Sequence, residues 1–207
     1  MLIPFDKLVE HFKLNITGIL HVGAHECEEL DDYLKLGIKK EDIYWIEAME
    51  DKVNLMKKQK NVKMYQALVD VEDEKNVIFH ITNNGQSSSI LELGSHEQHH
   101  PDVKIVEKKQ LKTTRLDTFI KKYNIPIEKL NFLNIDIQGK ELDALKSMSN
   151  HIKHVKYIYT EVNTEKVYKD CALLTEMDDY LKEKGFARVA CSMWGNCGWG
   201  DAFYILT

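Results

Sequence analysis

The stretch Ile19-Leu-His-Val-Gly-Ala-His-Glu-Cys-Glu-Glu29 decides the fold when it is read together with Glu47. A short apolar run enters a Gly23-Ala24 turn, and an acidic segment that we expect to be helical follows. A second apolar run, Ile43-Tyr-Trp-Ile46, ends on Glu47, 24 residues after Gly23. This is the order of a nucleotide-binding βαβ unit, in which the acid that ends the second strand binds ribose hydroxyls. The stretch therefore predicts a ribose-containing cofactor at this point of the chain.

The amino-acid composition is typical of a globular protein and gives no sign of a nucleic-acid surface. The chain has 207 residues, of which 43% are hydrophobic and 29% charged, and its formal net charge is −5. A chain of this length can bury a substantial core, and an acidic balance disfavours nucleic acid as a partner. No apolar run approaches the roughly 18 residues of a membrane span, and the start of the chain has no secretory signal pattern. We therefore expect a cytoplasmic protein with no membrane partner.

The spacing of cysteines and histidines predicts no metal site. The cysteines form no C-x-x-C pair, which argues against a zinc knuckle or a redox dithiol, and we expect them to be reduced. The run His96-Glu-Gln-His-His-Pro-Asp102 contains residues that bind divalent ions, but its spacing fits no compact site. We interpret this run as a solvated loop.

Strand and helix patterns alternate along the chain. The strand patterns cover 18–22, 43–46, 62–66, 77–82, 111–114, 132–135, 157–162, 186–191 and 202–206. The helix patterns cover 5–14, 26–36, 51–58, 116–123, 141–149 and 173–184. This alternation predicts an α/β fold with a mainly parallel sheet. We expect one domain over 1–207, with 1–14 as an N-terminal helical extension and the last two strands as a closing hairpin.

Two segments lack a clear pattern of secondary structure. The segment 83–101 has no periodicity, and a loop of that length is usually a lid, a binding loop or disordered. Its serines, Ser87–Ser89, either line the mouth of a binding site or cap local backbone. The glycine-rich segment Trp194–Asp201 carries two indoles, which either stack on a sugar or an aromatic ligand or pack within a hairpin turn.

Polar residues follow several predicted strands at the point where each strand ends. Ligands of open parallel sheets bind beyond these carboxyl ends, and the rule collects the following parts of the chain into one region: Gly23–Glu26, Glu47, Ala67–Asp70, Asp136–Gly139 and Glu161. Glu47 is expected to bind ribose. Asp70 either meets an adenine or ends a turn, and Asp136 is either a site residue or a cap for the next helix.

The turn after the first strand favours S-adenosylmethionine over NAD. Small residues at Gly23-Ala24 allow close approach of a ligand, and the next helix would offer free N–H groups. The full G-x-G-x-x-G pattern of dinucleotide folds is absent. The acidic residues of Glu26–Asp32 would repel a pyrophosphate, whereas they would tolerate a cationic or zwitterionic ligand.

Several segments together resemble the FkbM family of S-adenosylmethionine-dependent methyltransferases. The matching pieces are His21-Val-Gly-Ala-His25, Ile46-Glu-Ala48, Gln66-Ala-Leu-Val-Asp70, Ser87-Ser-Ser-Ile90, Thr114-Arg-Leu-Asp-Thr118, Leu133-Asn-Ile-Asp-Ile-Gln-Gly-Lys-Glu141 and Tyr159-Thr-Glu161. The resemblance covers residues 15–206. The chain departs from the family pattern at Asn134, where Lys is usual, at Gln138, where Glu is usual, and at His25, where Asn is common.

The resemblance implies a three-layer, Rossmann-like class I methyltransferase fold, with a mostly parallel seven-stranded sheet whose last strand is antiparallel. It also implies S-adenosylmethionine as the cofactor and a set of cofactor-binding residues at the strand ends and in the serine segment. These are His21, Gly23, Ala24, Glu47, Ala48, Ala67, Asp70, Ser89 and Asp136.

The leading functional hypothesis is methyl transfer to a hydroxyl of a small-molecule or carbohydrate acceptor. The protein would mainly align the acceptor and exclude water, and a base would help to remove the hydroxyl proton. The candidates for the base are Asp136, His25 and Glu161, in that order, although His25 could equally be a structural histidine at a helix start. An NAD-dependent oxidoreductase and a non-catalytic cofactor-binding protein are the alternatives.

Overall fold

Helices and strands alternate along the chain, as the sequence predicts. A computed structural model describes all 207 residues. The helices are α1 (Phe5–Phe12), α2 (Leu30–Lys35), α3 (Glu50–Lys60), α4 (His96–His99), α5 (Leu116–Lys122), α6 (Glu141–Ser147) and α7 (Leu174–Glu183). The strands are β1 (Ile19–Val22), β2 (Ile43–Glu47), β3 (Lys63–Gln66), β4 (Leu68–Val69), β5 (Asn76–Thr82), β6 (Ile105–Thr114), β7 (Phe132–Ile135), β8 (Tyr157–Asn163), β9 (Phe186–Met193) and β10 (Trp199–Leu206). None of these helices has both the length and the apolar content that a bilayer crossing requires.

The main sheet has seven strands in the order β3-β2-β1-β7-β8-β10-β9. The first five strands of this order are parallel. Strand β10 is antiparallel to both of its neighbours, β8 and β9. The expected mostly parallel sheet with an antiparallel last strand is confirmed, and so is the closing hairpin.

Helices cover both faces of the main sheet, which gives three layers. One apolar core contains residues of α5, α6 and α7, such as Phe119, Leu145 and Leu181. The other contains residues of α1, α2 and α3, such as Phe5 and Tyr33. Every residue of the central strands β1 and β7 is buried, because parallel strands between two helical layers have no face toward water.

A second, smaller sheet lies outside the main one and has the order β4-β6-β5. Strand β5 confirms the predicted strand at 77–82. Strand β6 was expected only at 111–114, yet it starts at Ile105 and pairs with β5 over nearly its whole length. Its first half is exposed and rich in lysine and glutamate, which are unfavourable in strands, so the sequence pattern misses it.

Helix α2 is shorter than expected. A helix was predicted over 26–36, but α2 begins at Leu30. His25 and Cys27 have φ values of +40° and +52°, and this left-handed backbone cannot continue into a helix. Similarly, α6 ends at Ser147 rather than at the predicted 149, and a 3-10 segment over Ser149–His154 follows.

Candidate functional site

A cavity of about 420 Å³ opens at the carboxyl edge of the main sheet. Its volume is in the range of about 300–1,000 Å³ that small-molecule sites occupy. Val22, the last residue of β1, pairs with Ile46 of β2 on one side and with Ile135 of β7 on the other. The ends of these three strands therefore meet at the cavity, as the rule for open parallel sheets predicts.

The turn after β1 requires glycine because it packs directly on the backbone after β7. Gly23 has a φ of +87°, and a Cβ added there would lie 1.7 Å from the carbonyl oxygen of Asp136. The N–H groups of Gly23 and Ala24 donate to the carbonyl oxygen of Ile46 at 2.9 and 3.0 Å. These amides are used within the protein, and the following helix begins only at Leu30. The helix that we expected to offer free N–H groups to a ligand therefore begins seven residues after Gly23, and not directly at the turn.

Glu47 is fixed at the end of β2. Its side chain is buried, and its oxygens accept hydrogen bonds from the backbone N–H groups of His25 (2.8 Å) and Met49 (2.9 Å). Burial raises the pKa of this carboxyl, and the two N–H donors oppose the rise. A carboxylate oxygen has a second acceptor site, so Glu47 can still accept hydrogen bonds from hydroxyls in the cavity that it lines.

Small and apolar side chains line the cavity beside Glu47. They come from the ends of β2 and β3 and from the small sheet, and they are Ile46, Ala48, Met49, Ala67, Leu68, Val69 and Phe79. A flat apolar group such as an adenine would be desolvated favourably between them.

Three of the expected cofactor residues do not reach the cavity. Ala24 is buried in the core. Asp70 is buried and forms an ion pair with Lys140 at 2.9 Å. Ser89 donates its hydroxyl to the carbonyl oxygen of Gln138 at 2.7 Å. Their side chains contact protein, so the proximity of these residues to the site is structural.

His21 lines the cavity but is held by aromatic neighbours in the core. Its ring stacks on Trp45 with a centroid distance of 4.6 Å, and Nδ1 lies 3.2 Å from the hydroxyl of Tyr33. The amide of Asn134 donates to the same hydroxyl at 2.8 Å. Burial lowers the pKa of His21 to about 3, so the ring is neutral at physiological pH.

His25 reaches the cavity, but neither of its ring nitrogens is open to a ligand there. Its Nδ1 is 2.6 Å from Oε1 of Glu28. Its Nε2 is buried without a partner, and a Cβ added at Gly85 would lie 3.0 Å from it. The hydrogen bond from His25 lowers the pKa of Glu28 to about 2, against burial, which raises it. The geometry does not favour His25 as a base, and its positive φ also excludes the helix-start role.

The reactive centre of the cavity is a pair of acids after β7 and within β8. Nε2 of Gln138 donates to Oδ1 of Asp136 and to Oε2 of Glu161. Protein surrounds Asp136 on most sides. Its side chain is nevertheless exposed, because it faces the open cavity. Loss of hydration among the surrounding side chains, and next the charge of Asp201, raise the pKa of Asp136 to about 6. Burial, and next the charge of Asp136, raise the pKa of Glu161 well above its usual range.

Glu141 shapes the turn that carries these residues. It is 2% exposed, and its carboxyl accepts the backbone N–H groups of Ile137 at 2.9 Å and Gly139 at 3.0 Å. Gln138 between them has a φ of +57°. Burial raises the pKa of Glu141 to about 7. The glutamate that ends the Asp-Ile-Gln-Gly-Lys-Glu motif is therefore a scaffold for Asp136.

The far side of the cavity holds a further buried acid, Asp201 of β10. It accepts hydrogen bonds from the hydroxyl of Tyr159 and from the backbone N–H of Leu2. The hydroxyl of Tyr159 in turn accepts the N–H of Ile3 at 3.0 Å. Leu2 also lines the cavity, so the segment before α1 contributes to the site, which its position in the sequence does not predict.

Four aromatic residues of the cavity were not predicted as site residues. His96 and His100 belong to the histidine run that we interpreted as a solvated loop, and His96 is in fact 5% exposed. Trp199 lies in the glycine-rich segment, whose indoles are expected either to stack on a ligand or to pack within a hairpin turn. Tyr168 follows β8 and carries no sequence signal. All four line the cavity.

The cavity is strongly acidic. Six carboxyl groups line it: Glu28, Glu29, Glu47, Asp136, Glu161 and Asp201. The lining contains a single lysine, Lys140, which is already paired with Asp70 and Asp143. No arginine lines the cavity. An anionic ligand would therefore find no free side-chain cation here.

Comparisons with known proteins agree with this architecture. A family model described as the methyltransferase FkbM domain matches residues 21–187. A search of curated proteins gives no significant match. A Streptococcus pneumoniae protein, provisionally described as a tRNA (m1A22) methyltransferase, has the same fold: TM-score 0.51, 13% identity, 100% of this chain and 71% of that chain covered.

Two further solved structures are similar at lower TM-scores. One is a SAM-dependent methyltransferase from Aquifex aeolicus, with TM-score 0.47, 15% identity, and 98% of this chain and 89% of that chain covered. The other is magnesium protoporphyrin IX methyltransferase from Synechocystis PCC 6803 with bound SAM, with TM-score 0.48, 8% identity, and 98% and 76% covered.

Proposed function

The chain belongs to the FkbM family of S-adenosylmethionine-dependent methyltransferases, and we propose that it methylates a hydroxyl of an uncharged acceptor, such as a sugar or a small natural product. The observation that carries the proposal is Asp136, a carboxyl that opens into the cavity with a pKa of about 6. A group that titrates near neutrality can accept a hydroxyl proton at physiological pH. The NAD-dependent alternative receives no support, because the matched family is one of methyltransferases.

The residues of the cavity fit S-adenosylmethionine. When bound, this cofactor supplies a methyl group that its sulfonium centre has already activated. Glu47 would bind the ribose hydroxyls, and Met49, Leu68 and Phe79 would pack against the adenine. The acidic lining suits a ligand with a positive sulfonium and a positive ammonium group, whereas it would repel the pyrophosphate of NAD.

The charge of the cavity supports an uncharged acceptor. A carboxylate or phosphate on the acceptor would lie among several acids, and Lys140 is already paired with Asp70 at 2.9 Å. Burying an unpaired charge among like charges is costly. Hydroxyl groups, in contrast, can donate hydrogen bonds to carboxylates. We therefore propose a polyhydroxylated or otherwise neutral acceptor.

We assign the proton-accepting role to Asp136 rather than to Glu161. The pKa of Glu161 is raised well above its usual range, first by burial and then by Asp136. When two neighbouring carboxyls titrate together, one keeps its proton while the other ionises. We therefore assign the shared proton to Glu161 and the negative charge to Asp136. Gln138 fixes the orientation of both groups through Nε2.

Calorimetry with S-adenosylhomocysteine tests the cofactor site. The intact protein should bind this product, and Glu47→Gln should weaken binding by about 10- to 100-fold, because charge-assisted hydrogen bonds are lost. Glu50→Gln is the control, since Glu50 is exposed in the next helix. Absence of binding by the intact protein would refute the cofactor site in this cavity.

Transfer of a labelled methyl group to a panel of neutral acceptors tests the chemistry. Asp136→Asn should lower kcat by at least about 100-fold and leave the affinity for S-adenosylhomocysteine within about threefold. Asp102→Asn, at an exposed position, should change neither. Near-normal turnover in Asp136→Asn would remove Asp136 from the reaction. Cofactor binding without transfer to any acceptor would instead support the non-catalytic alternative.

A further inference from the structure

Aromatic side chains form one wall of the cavity. We call the set of His96, His100, Tyr168 and Trp199 the aromatic corner. Neighbouring ring centroids are 4.9 Å apart for His96 and His100, 5.5 Å for His96 and Tyr168, and 6.3 Å for His100 and Trp199. The four rings are thus consecutive neighbours and present one continuous surface to the cavity that all of them line.

A hydrogen bond orients the ring of His100. The indole Nε1 of Trp199 lies 3.2 Å from Nε2 of His100. An indole nitrogen only donates, so Nε2 of His100 accepts this hydrogen bond. The ring of Trp194 stacks on that of Trp199, with a centroid distance of 5.8 Å and an interplanar angle of 21°.

His96 is a buried imidazole with unused hydrogen-bonding capacity. It is 5% exposed, and its Nδ1 is buried without a partner. Its Nε2 makes no hydrogen bond to the protein and, unlike Nδ1, is not among the fully buried unpaired atoms, and the residue lines the cavity. Burial, and next the charges of His100 and His99, lower the pKa of His96 to about 4. A neutral imidazole binds a hydroxyl in either tautomer, because a hydroxyl both donates and accepts.

The aromatic corner is joined to the reactive acids by hydrogen bonds. The hydroxyl of Tyr168 donates to Oε1 of Gln138. Nε2 of the same Gln138 donates to Asp136 and Glu161. One glutamine therefore orients the proposed base and the wall beside it. A group held against His96 and Tyr168 lies on the same side of the cavity as Asp136.

We propose that the aromatic corner is the acceptor subsite, in which His96 hydrogen-bonds a hydroxyl of an uncharged, ring-shaped polyol and Trp199 packs against the ring. Aromatic faces bury the apolar face of such a ring, while a few polar atoms fix its orientation. A phosphorylated or carboxylated ring would meet the acids of the cavity without a free side-chain cation to pair with, since Lys140 is already paired with Asp70. The assignment rests on the proposed function, because it presumes that the acceptor presents a hydroxyl to Asp136.

Calorimetry of the full chain saturated with S-adenosylhomocysteine tests the subsite directly. The probes are methyl glycosides of neutral hexoses and 6-deoxyhexoses, with a methyl uronide as the anionic comparison. The neutral probes should bind and the uronide should not. His96→Ala and Trp199→Ala should each weaken binding of the neutral probe by about 5- to 10-fold, which is the worth of one hydrogen bond or one stacked ring.

His99→Ala is the matched control, because His99 is bonded to Glu165 at 2.6 Å and does not line the cavity. His96→Gln keeps a hydrogen-bonding group and should recover binding to within about threefold of the intact protein. Each variant should bind S-adenosylhomocysteine normally, which also shows that it is folded.

Equal affinities in His96→Ala and His99→Ala, or binding of none of the neutral glycosides, would overturn the subsite. Failure of S-adenosylhomocysteine to bind is a separate result that contradicts the cofactor site of the proposed function. The glycoside titrations are therefore repeated without S-adenosylhomocysteine, so that the aromatic corner is tested in either case.

Discussion

Asp136 and Glu161 share one hydrogen-bond donor, since Nε2 of Gln138 donates to Oδ1 of the first and, at 2.6 Å, to Oε2 of the second. Asp136 follows β7, and Glu161 lies within the neighbouring strand β8. A glutamate at position 138, which is usual in the family, could not donate to both. The glutamine therefore bridges two carboxyl groups that stand side by side in the cavity.

The rate of methyl transfer should depend on the ionisation of Asp136. A base works only when it is deprotonated, and the pKa of Asp136 is raised to about 6. We expect kcat/KM to fall as pH decreases through this value and to level off above it. The side-chain carboxyl carbon of Asp136 should titrate with the same midpoint in ¹³C NMR, a measurement that requires no methyl acceptor.

The variant Asp201→Asn tests whether the charge of Asp201 raises the pKa of Asp136. The charge of Asp201 raises the pKa of Asp136, so removing it should shift the midpoint to lower pH. An asparagine keeps an oxygen that can accept from Tyr159 and Leu2. A midpoint that stays in place, or that moves to higher pH, would show that Asp201 does not set the pKa of Asp136.

Glu141→Ala should lower the stability of the protein more than its position in a helix suggests. The substitution leaves the buried N–H groups of Ile137 and Gly139 without their acceptor. Unpaired buried donors cost about 1–3 kcal/mol each, so a loss of about 2–4 kcal/mol in the free energy of unfolding is expected from urea denaturation. Glu128→Ala, at an exposed position, should cost less than about 0.5 kcal/mol. Equal losses in the two variants would argue against the scaffold role.

Asp70→Asn should affect stability and not cofactor binding. Asp70 is 2% exposed and pairs with Lys140, and removal of one partner from a buried ion pair is strongly destabilising. We expect a loss of about 2–4 kcal/mol in urea denaturation, because Lys140 keeps Asp143 as a second partner. The affinity for S-adenosylhomocysteine should change by less than about threefold, with Asp51→Asn as the exposed control. A large loss of affinity for S-adenosylhomocysteine without a loss of stability would instead support the adenine contact of Asp70 that the sequence suggests.

The strands of the main sheet could be predicted because their signals are local. β1 and β7 are short runs that are apolar at three of their four positions, and turn residues follow each of them. The start of α2 could not be predicted, because it depends on backbone angles at His25 and Cys27 that are imposed by Glu47 and the neighbouring loop. The exposed half of β6 gains its strand conformation only from pairing with β5.

Gly23, Glu47 and Asp136, which the strand-end rule groups together, line one cavity, whereas Asp70 does not line it. Asp70 follows a strand of the small sheet. It forms an ion pair with Lys140, which lies 70 positions later in the chain. Sequence spacing gives no sign of such a partner. His96 was missed for a related reason, since its burial depends on Tyr168, which is equally remote in sequence.

The small sheet and its connecting loop have a practical consequence for engineering. His96 and His100 lie between β5 and β6, outside the seven-stranded sheet that carries Glu47 and Asp136. Residues 83–104 could therefore be grafted as a cassette between homologous enzymes, with the two strands as fixed anchor points. With the acceptor subsite that we propose, such chimaeras are expected to exchange preference for the methyl recipient while they retain the same cofactor site.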